Sequence, residues 1–302
     1  MKLLTDAQVR SAVSMPPAIA AVRAAYLAFG QGRAANQSRM RTATEGSMLS
    51  TMGAVMPSLG VSGAKVYSTV EGRFCFVVVL FDAVTGAALC AMSADALTEI
   101  RTAATTAVAA DIFCSPDAQV LTVFGTGIQA RAHVRAMLQV RAFSQVLLCG
   151  IEGTEAFAAS VQAEHHIPCH VTGDIATAVR RADGLVTATR ATEPLFDGRL
   201  LQDHAFVAAI GATKPASREI DAMTVARARH LVVEEKSQAL AESGELGALP
   251  DGATEITQLG DWLAQGRTPQ PGLTVYKAVG IGLSDVALAA AVWRQLSLTE
   301  GE

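Results

Sequence analysis

The sequence predicts an α/β protein, a doubly wound parallel sheet combined with an α+β part, and three observations carry that expectation. From Val120 onward, short apolar, β-branched runs alternate with helical patterns, as in a parallel sheet covered by helices. Between Ser38 and Met92, β-rich runs are separated only by turn-forming pairs, which reads as an antiparallel meander. The 302 residues are 50% hydrophobic and 17% charged, enough chain and apolar surface for one large or two ordinary domains, each with its own core.

Thr5-Asp6-Ala7-Gln8 has the form of a capping box, in which the threonine and glutamine side chains each satisfy a backbone N–H at a helix start, and it opens a short helix through Val13. A second helix begins at Pro16-Pro17 and places Ile19, Val22, Ala25, Tyr26 and Phe29 at helical spacing until Gly30 and Gly32 end it. The meander covers 39–44, 48–56, 63–70, 74–81 and 87–92, with Glu45-Gly46, Pro57-Ser58, Glu71-Gly72 and Thr85-Gly86 between runs. The helix expected over 95–114 is rich in alanine, yet Thr98, Arg101, Thr102, Thr105 and Thr106 form a polar stripe along it. A solvated face normally carries Glu and Lys, so the stripe reads either as a wall facing a site or as close Ala/Thr packing of two helices with Arg101 at the edge.

Ser115-Pro116-Asp117 punctuates the chain, and a strand over 120–124 breaks at Gly125. After Gly127 a helix carries Ala132, Ala136 and Leu138 on one side. Strands follow at 146–149, 169–171, 184–189, 206–210 and 231–234, with helices at 154–165 and 174–181. The stretch 237–271 is helical but broken by Gly244, Gly247, Pro250-Asp251-Gly252 and Gly266. One more strand covers 273–278, and Ser284-Asp285 caps an apolar terminal helix through Leu296.

Gly125-Thr126-Gly127-Ile128-Gln129-Ala130 sits between strand and helix, the setting in which G-x-G-x-x-A binds a dinucleotide. The first glycine permits the turn, the second lets backbone approach a pyrophosphate, and Ala130 keeps the helix close to the sheet. Glu152 is the nearest acid after the second strand and no arginine lies beside it to receive a 2′-phosphate, so NADPH or NADH remains open as cofactor. Thr187-Ala188-Thr189 and Gly211-Ala212-Thr213 follow later strands, where open α/β sheets bind ligands.

The formal charge of −4 supplies no basic footprint for nucleic acid. The apolar run at 74–81 stops at Asp82, short of a membrane span, and Asp6 interrupts any signal peptide, so a cytoplasmic protein with no membrane partner is expected. The cysteines, Cys75, Cys90, Cys114, Cys149 and Cys169, are odd in number and form no C-x-x-C pair, and read as reduced thiols. No metal site is expected, because His165-His166 are adjacent and the other histidines are scattered. No G-x-S-x-G elbow marks a serine hydrolase.

Positive charge inside apolar segments is the remaining signal. Arg41 and Lys65 fall on expected strands, and Arg101 lies on the threonine stripe. Each alone is commonly a structural ion pair; together they suit a substrate carboxylate, which occupies its pocket only when bound.

Several motifs stand in order along the chain: Arg41-Thr42, Val55-Met56-Pro57, Gly63-Ala64-Lys65, Leu97-Thr98-Glu99-Ile100-Arg101-Thr102-Ala103-Ala104 and the glycine turn with Gln129. Val186-Thr187-Ala188-Thr189, Ile210-Gly211-Ala212-Thr213-Lys214-Pro215, Arg218-Glu219-Ile220-Asp221, Glu242-Ser243-Gly244-Glu245 and Tyr276-Lys277-Ala278-Val279-Gly280 with Asp285 complete the series. In this the chain resembles the ornithine cyclodeaminase/mu-crystallin family over nearly its whole length.

The resemblance implies a substrate-binding and dimerisation domain, 1–115 plus 279–302, a Rossmann domain over 116–278, an active site in the cleft between them, and a homodimer. It implies carboxylate binding by Arg41, Lys65 and Arg101, with Arg39 competing with Arg41 because the spacing to Met56-Pro57 is loose. The expected cofactor set is Thr102, Gly125, Thr126, Gly127, Ile128, Gln129, Glu152, Thr187, Thr189 and Gly211, with Val279 and Gly280 near the nicotinamide. Cyclodeaminases of the family carry two acids for the ornithine ammonium; here the first position is Thr213 and the second falls on Gly53 or Ala54. An ammonium without such a partner loses several kcal/mol in a dry site.

The loop Gly-Ala-Thr-Lys-Pro is instead similar to the ketimine-reductase branch, which implies NAD(P)H-dependent reduction of Δ1-pyrroline-2-carboxylate or Δ1-piperideine-2-carboxylate to L-proline or L-pipecolate. Thr213, directly or through water, is the expected proton donor, with Lys65 the alternative. The competing readings are an ornithine cyclodeaminase, an alanine-type amino-acid dehydrogenase, and a nucleotide-gated protein that binds a small carboxylate without turnover.

Overall fold

A three-residue strand, β1 (Lys2–Leu4), leads into α1 (Asp6–Ala12), whose capping box forms as expected: Thr5 accepts from the Gln8 amide and Gln8 from the Thr5 amide. The structure is a computed structural model that describes residues 1–247, 249 and 254–300. It divides into two units, Met1–Thr105 with Gly260–Gly266 and Gly280–Glu302, and Thr106–Leu259 with Arg267–Val279.

In the first unit, α2 (Met15–Gly30) buries Ala18, Ile19, Val22, Ala25 and Tyr26. The meander follows as β2 (Ala35–Asn36), β3 (Met40–Thr44), β4 (Ser47–Met56), β5 (Val61–Val70), β6 (Arg73–Asp82) and β7 (Ala88–Ser93). Its sheet runs β1-β7-β6-β5-β4-β2, with β3 also paired to β4. All pairings are antiparallel except β1 on β7, where Lys2 stands beside Cys90; three residues are too few to show a strand period in sequence. Opposed residues share a face, so Met40, Leu49, Val70 and Val77 stand on one side of the sheet and Arg41, Lys65, Tyr67, Phe74 and Phe76 on the other.

Helix α3 (Asp95–Phe113) begins in the first unit, where Asp6 accepts from the Ala96 amide at 2.7 Å, and continues into the second. The two units divide within this helix, after Thr105, whereas the domain boundary expected from the sequence falls at 115.

The second unit proceeds as β8 (Val120–Phe124), α4 (Ile128–Val140), β9 (Gln145–Cys149), α5 (Thr154–His165), β10 (Cys169–Val171), α6 (Ile175–Arg181), β11 (Gly184–Thr187), β12 (Phe206–Ala209), α7 (Ala222–Arg227), β13 (His230–Val233), α8 (Lys236–Glu242) and β14 (Ile256–Gln258). Then come α9 (Leu259–Gln265), most of which belongs to the first unit, and β15 (Thr274–Lys277). The sheet is wholly parallel, ordered β10-β9-β8-β11-β12-β15-β13-β14. Its order reverses between β8 and β11, the switch point at which such sheets bind ligands. Leu185, Val207, Leu231, Val233 and Val275 are wholly buried, each contributing about 1.5–3 kcal/mol.

Strand β14 lies within the stretch expected to be irregular helix, since parallel pairing to β13, absent from the local pattern, makes it a strand. The expected break at Pro250-Asp251-Gly252 lies outside the described residues. Helix α10 (Gly282–Glu300) returns to the first unit and packs on α2, β4 and β5. Ser284 and Asp285 fall inside its first turn and do not cap it: Ser284 donates to the Ile281 carbonyl, and Asp285 is taken up by two cations.

Candidate active site

The turn after β8 shows what each glycine is for. Gly125 has a φ of +108°, and a Cβ there would lie 2.5 Å from the Ala188 carbonyl oxygen, so backbone and neighbour both require glycine. Gly127, the N-cap of α4, is exposed at φ −74° and ψ −175°, and a Cβ there would meet nothing within 4 Å. The protein's own packing does not require glycine at 127. A ligand coming close to that backbone would. With no side-chain cap on α4, its first N–H groups and the positive end of its dipole are left for an anion, and a dinucleotide pyrophosphate fits these residues.

Thr126 and Ile128 flank Gly127, Ile128 being 67% exposed, and the Gln129 side chain has a buried, unpartnered Oε1. Gly150 closes against the turn, since its Cβ would lie 2.8 Å from the Thr126 methyl. Ile151 and Glu152 follow, both exposed. His133, one turn into α4, is wholly buried. Its Nδ1 lies 2.7 Å from the Gln129 carbonyl and its Nε2 3.0 Å from the Thr106 hydroxyl; a carbonyl only accepts, so Nδ1 carries the proton. Burial pushes this imidazole down to about 4.

Thr187, Thr189 and Gly211 converge on a residue to which the sequence motifs assigned no role. Glu219 is wholly buried; its Oε2 accepts from the Thr187 hydroxyl at 2.9 Å and the Gly211 and Ala212 amides at 2.6 and 3.3 Å. Its Oε1 accepts from the Thr189 amide and hydroxyl, each at 2.7 Å. This ties the loops at the carboxyl ends of β11 and β12 to one carboxylate, with Thr189 held beyond the end of its strand. Lys277 braces the second loop, its Nζ 2.5 Å from the Ala212 carbonyl and 3.3 Å from Glu245, which also accepts from the Glu219 amide. Burial lowers the Lys277 ammonium, and Glu245, Glu219 and Glu234 act against that. Glu234 accepts from the Val279 amide at 2.8 Å.

In the first unit, Lys65 and Arg101 meet. Lys65 Nζ donates to Asp285 Oδ1 at 3.2 Å and to the Thr98 hydroxyl at 3.0 Å, and Arg101 Nε donates to the same Oδ1 at 2.9 Å. The Phe76 and Tyr67 ring centroids lie 4.7 and 5.7 Å from Lys65 Nζ. Burial brings Lys65 down to about 8; Asp285 opposes the fall, whereas Arg101 and Arg39 add to it. Gly280, at φ +76°, leaves room for the Arg101 guanidinium, whose Nη1 would lie 2.8 Å from a Cβ. Its carbonyl accepts from Arg39 Nη2 at 2.8 Å.

Arg41 stands on the Lys65 face of the sheet, opposite Ser50, but is exposed; Arg39, half-buried, is the arginine of that segment whose charge acts on Lys65. The threonine stripe splits. Thr98 joins the cations, Thr102 and Thr105 donate back to the carbonyls of Thr98 and Arg101, and Thr106 goes to His133. Thr213 is half-buried beside the anchored Ala212. A Cβ at Gly53 would lie 2.9 Å from the Gly63 carbonyl, so an acid there would require the backbone to move. Glu219 and Lys277 carry no role in the sequence reading, and Asp285 only that of a helix cap. Lys277 carries the signal that singled out Lys65, a charge inside an apolar strand, whereas an acid in a helical turn or a loop looks no different from a cap or a surface residue.

Among the described residues, no three His, Cys, Asp or Glu side chains group as a metal would require, and no single helix is long and apolar enough to cross a membrane.

The architecture is shared along its full length with solved proteins. A probable ornithine cyclodeaminase from Bordetella pertussis superposes with a TM-score of 0.95 at 39% identity, covering 100% of this chain and 98% of that one. The Δ1-pyrroline-2-carboxylate reductase of Thermococcus litoralis, solved with NADH and L-proline, superposes with a TM-score of 0.91 at 25% identity, covering 100% and 98%. A Δ1-pyrroline-2-carboxylate reductase from Bacillus cereus is 32% identical over 229 residues, 72% of this chain and 70% of its own length. The profile that describes the ornithine cyclodeaminase/mu-crystallin family matches residues 1–300, and the protein belongs to that family.

Proposed function

We propose that this protein is an NAD(P)H-dependent oxidoreductase that reduces cyclic ketimines bearing one carboxylate, Δ1-pyrroline-2-carboxylate and Δ1-piperideine-2-carboxylate, to L-proline and L-pipecolate. The observation that carries the reading is the pair Lys65 and Arg101 on one buried oxygen, beside two aromatic rings, in a chain with no acid at 213, 53 or 54 to hold a second ammonium. Cations for one carboxylate and an apolar wall for a ring are what such an imine asks for. The reductases of Bacillus cereus and Thermococcus litoralis act on Δ1-pyrroline-2-carboxylate, which supports the five-membered ring as a substrate.

A bound reduced nicotinamide supplies hydride to the imine carbon. Arg101 and Lys65, assisted by Arg39 or Arg41, hold the substrate carboxylate and orient the C=N bond. Their fixed positive field favours the protonated imine less than it favours a bound carboxylate, so the nitrogen needs a donor close by. Lys65, at about 8, carries its proton at neutral pH and can give it to the ring nitrogen, while the Thr213 hydroxyl is the alternative relay. Gly125, Thr126, Gly127, Ile128 and Gln129 would hold the pyrophosphate, Glu152 would serve the adenosine ribose, and Thr102, Thr187, Thr189, Gly211, Val279 and Gly280 would serve the nicotinamide half.

The reading extends to a cytoplasmic homodimer. Met40, Leu49, Val70 and Val77, 61%, 49%, 47% and 36% exposed on one sheet face, form an apolar surface suited to a second copy.

The test is the absorbance of NADH or NADPH with each imine, with pyruvate plus ammonium, and with L-ornithine. Oxidation of the cofactor by an imine, without ammonia release from ornithine, is expected. Ammonia from ornithine with no imine reduction overturns the reading.

A further inference from the structure

Asp285 has no part in the chemistry above, yet both cations of the site rest on it. Lys65, Arg101 and Asp285 are 2%, 4% and 0% exposed. An ammonium so buried sheds its proton unless negative charge compensates it. The groups facing Lys65 come from several elements: Asp285 from α10, Arg101 and the Thr98 hydroxyl from α3, Arg39 from the segment before β3, and the Tyr67 and Phe76 rings from β5 and β6. Of these, Asp285 brings the negative charge, and both arginines oppose it.

A carboxylate frequently meets an arginine with both oxygens. Here Oδ1 receives both Lys65 Nζ and Arg101 Nε, and Oδ2 is buried with no hydrogen-bond partner. Because Arg101 is met through Nε, its Nη atoms extend past the carboxylate and lie against Gly280. The three groups together carry one net positive charge while Lys65 is protonated, which matches a single carboxylate.

We infer that Asp285 is a positioning residue of the reduction site, holding Lys65 in its charged form and aiming Arg101, so that both present to one incoming carboxylate. The inference rests on the ketimine reading for the purpose of these cations, but not for their protonation.

The chain has five lysines, so selective ¹³Cε-lysine labelling gives a spectrum in which Lys65 is assigned by its loss in Lys65→Met. In the wild type, Lys65 is expected to titrate near 8. In Asp285→Asn it is expected to fall clearly below its wild-type value, because the opposing charge is gone while Arg101 and Arg39 remain. The basic limb of kcat/KM for the imine then moves down with it, KM rises, and the Kd for NADH stays within about twofold. A Lys65 titration unchanged or raised in Asp285→Asn overturns the assignment, as does an unmoved pH limb at full activity. If Asp285→Asn does not fold, Asp285→Glu carries the test: with the charge kept, Lys65 stays near its wild-type value and only KM rises, and a drop overturns the inference. Should the wild type reduce no imine, the ketimine reading fails alone, and the titration still decides the role of Asp285.

Discussion

Thr189 is tied to Glu219 twice, its amide and its hydroxyl each donating to Oε1 at 2.7 Å. Because the same carboxylate also holds Thr187, Gly211 and Ala212, it acts as the joint between two loops at the carboxyl ends of the strands of the parallel sheet. In Glu219→Gln, the new NH₂ must face N–H or O–H donors on whichever side it turns. Urea denaturation is expected to show a loss of about 2–4 kcal/mol, with weaker NADH binding in the variant that still folds.

The two glycines of the nucleotide turn are expected to part company. Gly127→Ala adds a Cβ with nothing within 4 Å and needs no unusual backbone, so beyond the small cost of a less favoured N-cap its melting temperature should stay within a few degrees of the wild type, while NADH fluorescence titration shows affinity reduced by about tenfold or more. Gly125→Val has neither the backbone nor the space, and is expected to lose stability first.

Activity and stability should respond to alkaline pH in opposite directions at Lys65. Its ammonium is lowered from 10.5 to about 8, so reduction is expected to decline as pH rises through about 8. The unfolded chain binds more protons than the fold between about 8 and 10.5, so the destabilising contribution of this lysine lifts across the same window. Comparing urea midpoints of the wild type and Lys65→Met across that window isolates the effect.

Acid acts through His133. Its folded value of about 4 lies below the ordinary 6.5, so the stability tied to its neutral form is complete above 6.5 and is lost as pH falls toward 4, on the order of 3 kcal/mol. His133→Gln offers a donor for the Gln129 carbonyl and an acceptor for Thr106 without taking up a proton. A flatter stability profile from pH 6.5 to 4 is the expected result.

Cofactor choice should follow the loop after β9. Residues Gly150 to Thr154 include no lysine or arginine, and Glu152 would oppose a 2′-phosphate. Ile151→Arg, which would place a cation in this loop, is therefore expected to shift the preference toward NADPH in direct titrations of both nucleotides.

The local pattern was enough for what local chemistry controls. The Thr5 capping box, the strands of the meander, the β/α alternation and the glycine turn were all legible, because each depends on residues within a few positions of one another. The pairing of β1 with β7 and the existence of β14 were not, since each strand is only three residues long and is defined by its partner.

By itself, then, the sequence determined the fold class and the glycine turn, and charge set among apolar neighbours singled out three cations, of which Lys65 and Arg101 are buried and Arg41 is exposed. Only the tertiary structure decided which acids answer those charges. Asp285 reaches Lys65 across 220 positions and Glu219 gathers Thr187 from 32 away, and a carboxylate's partner at that separation leaves no periodic trace in the chain.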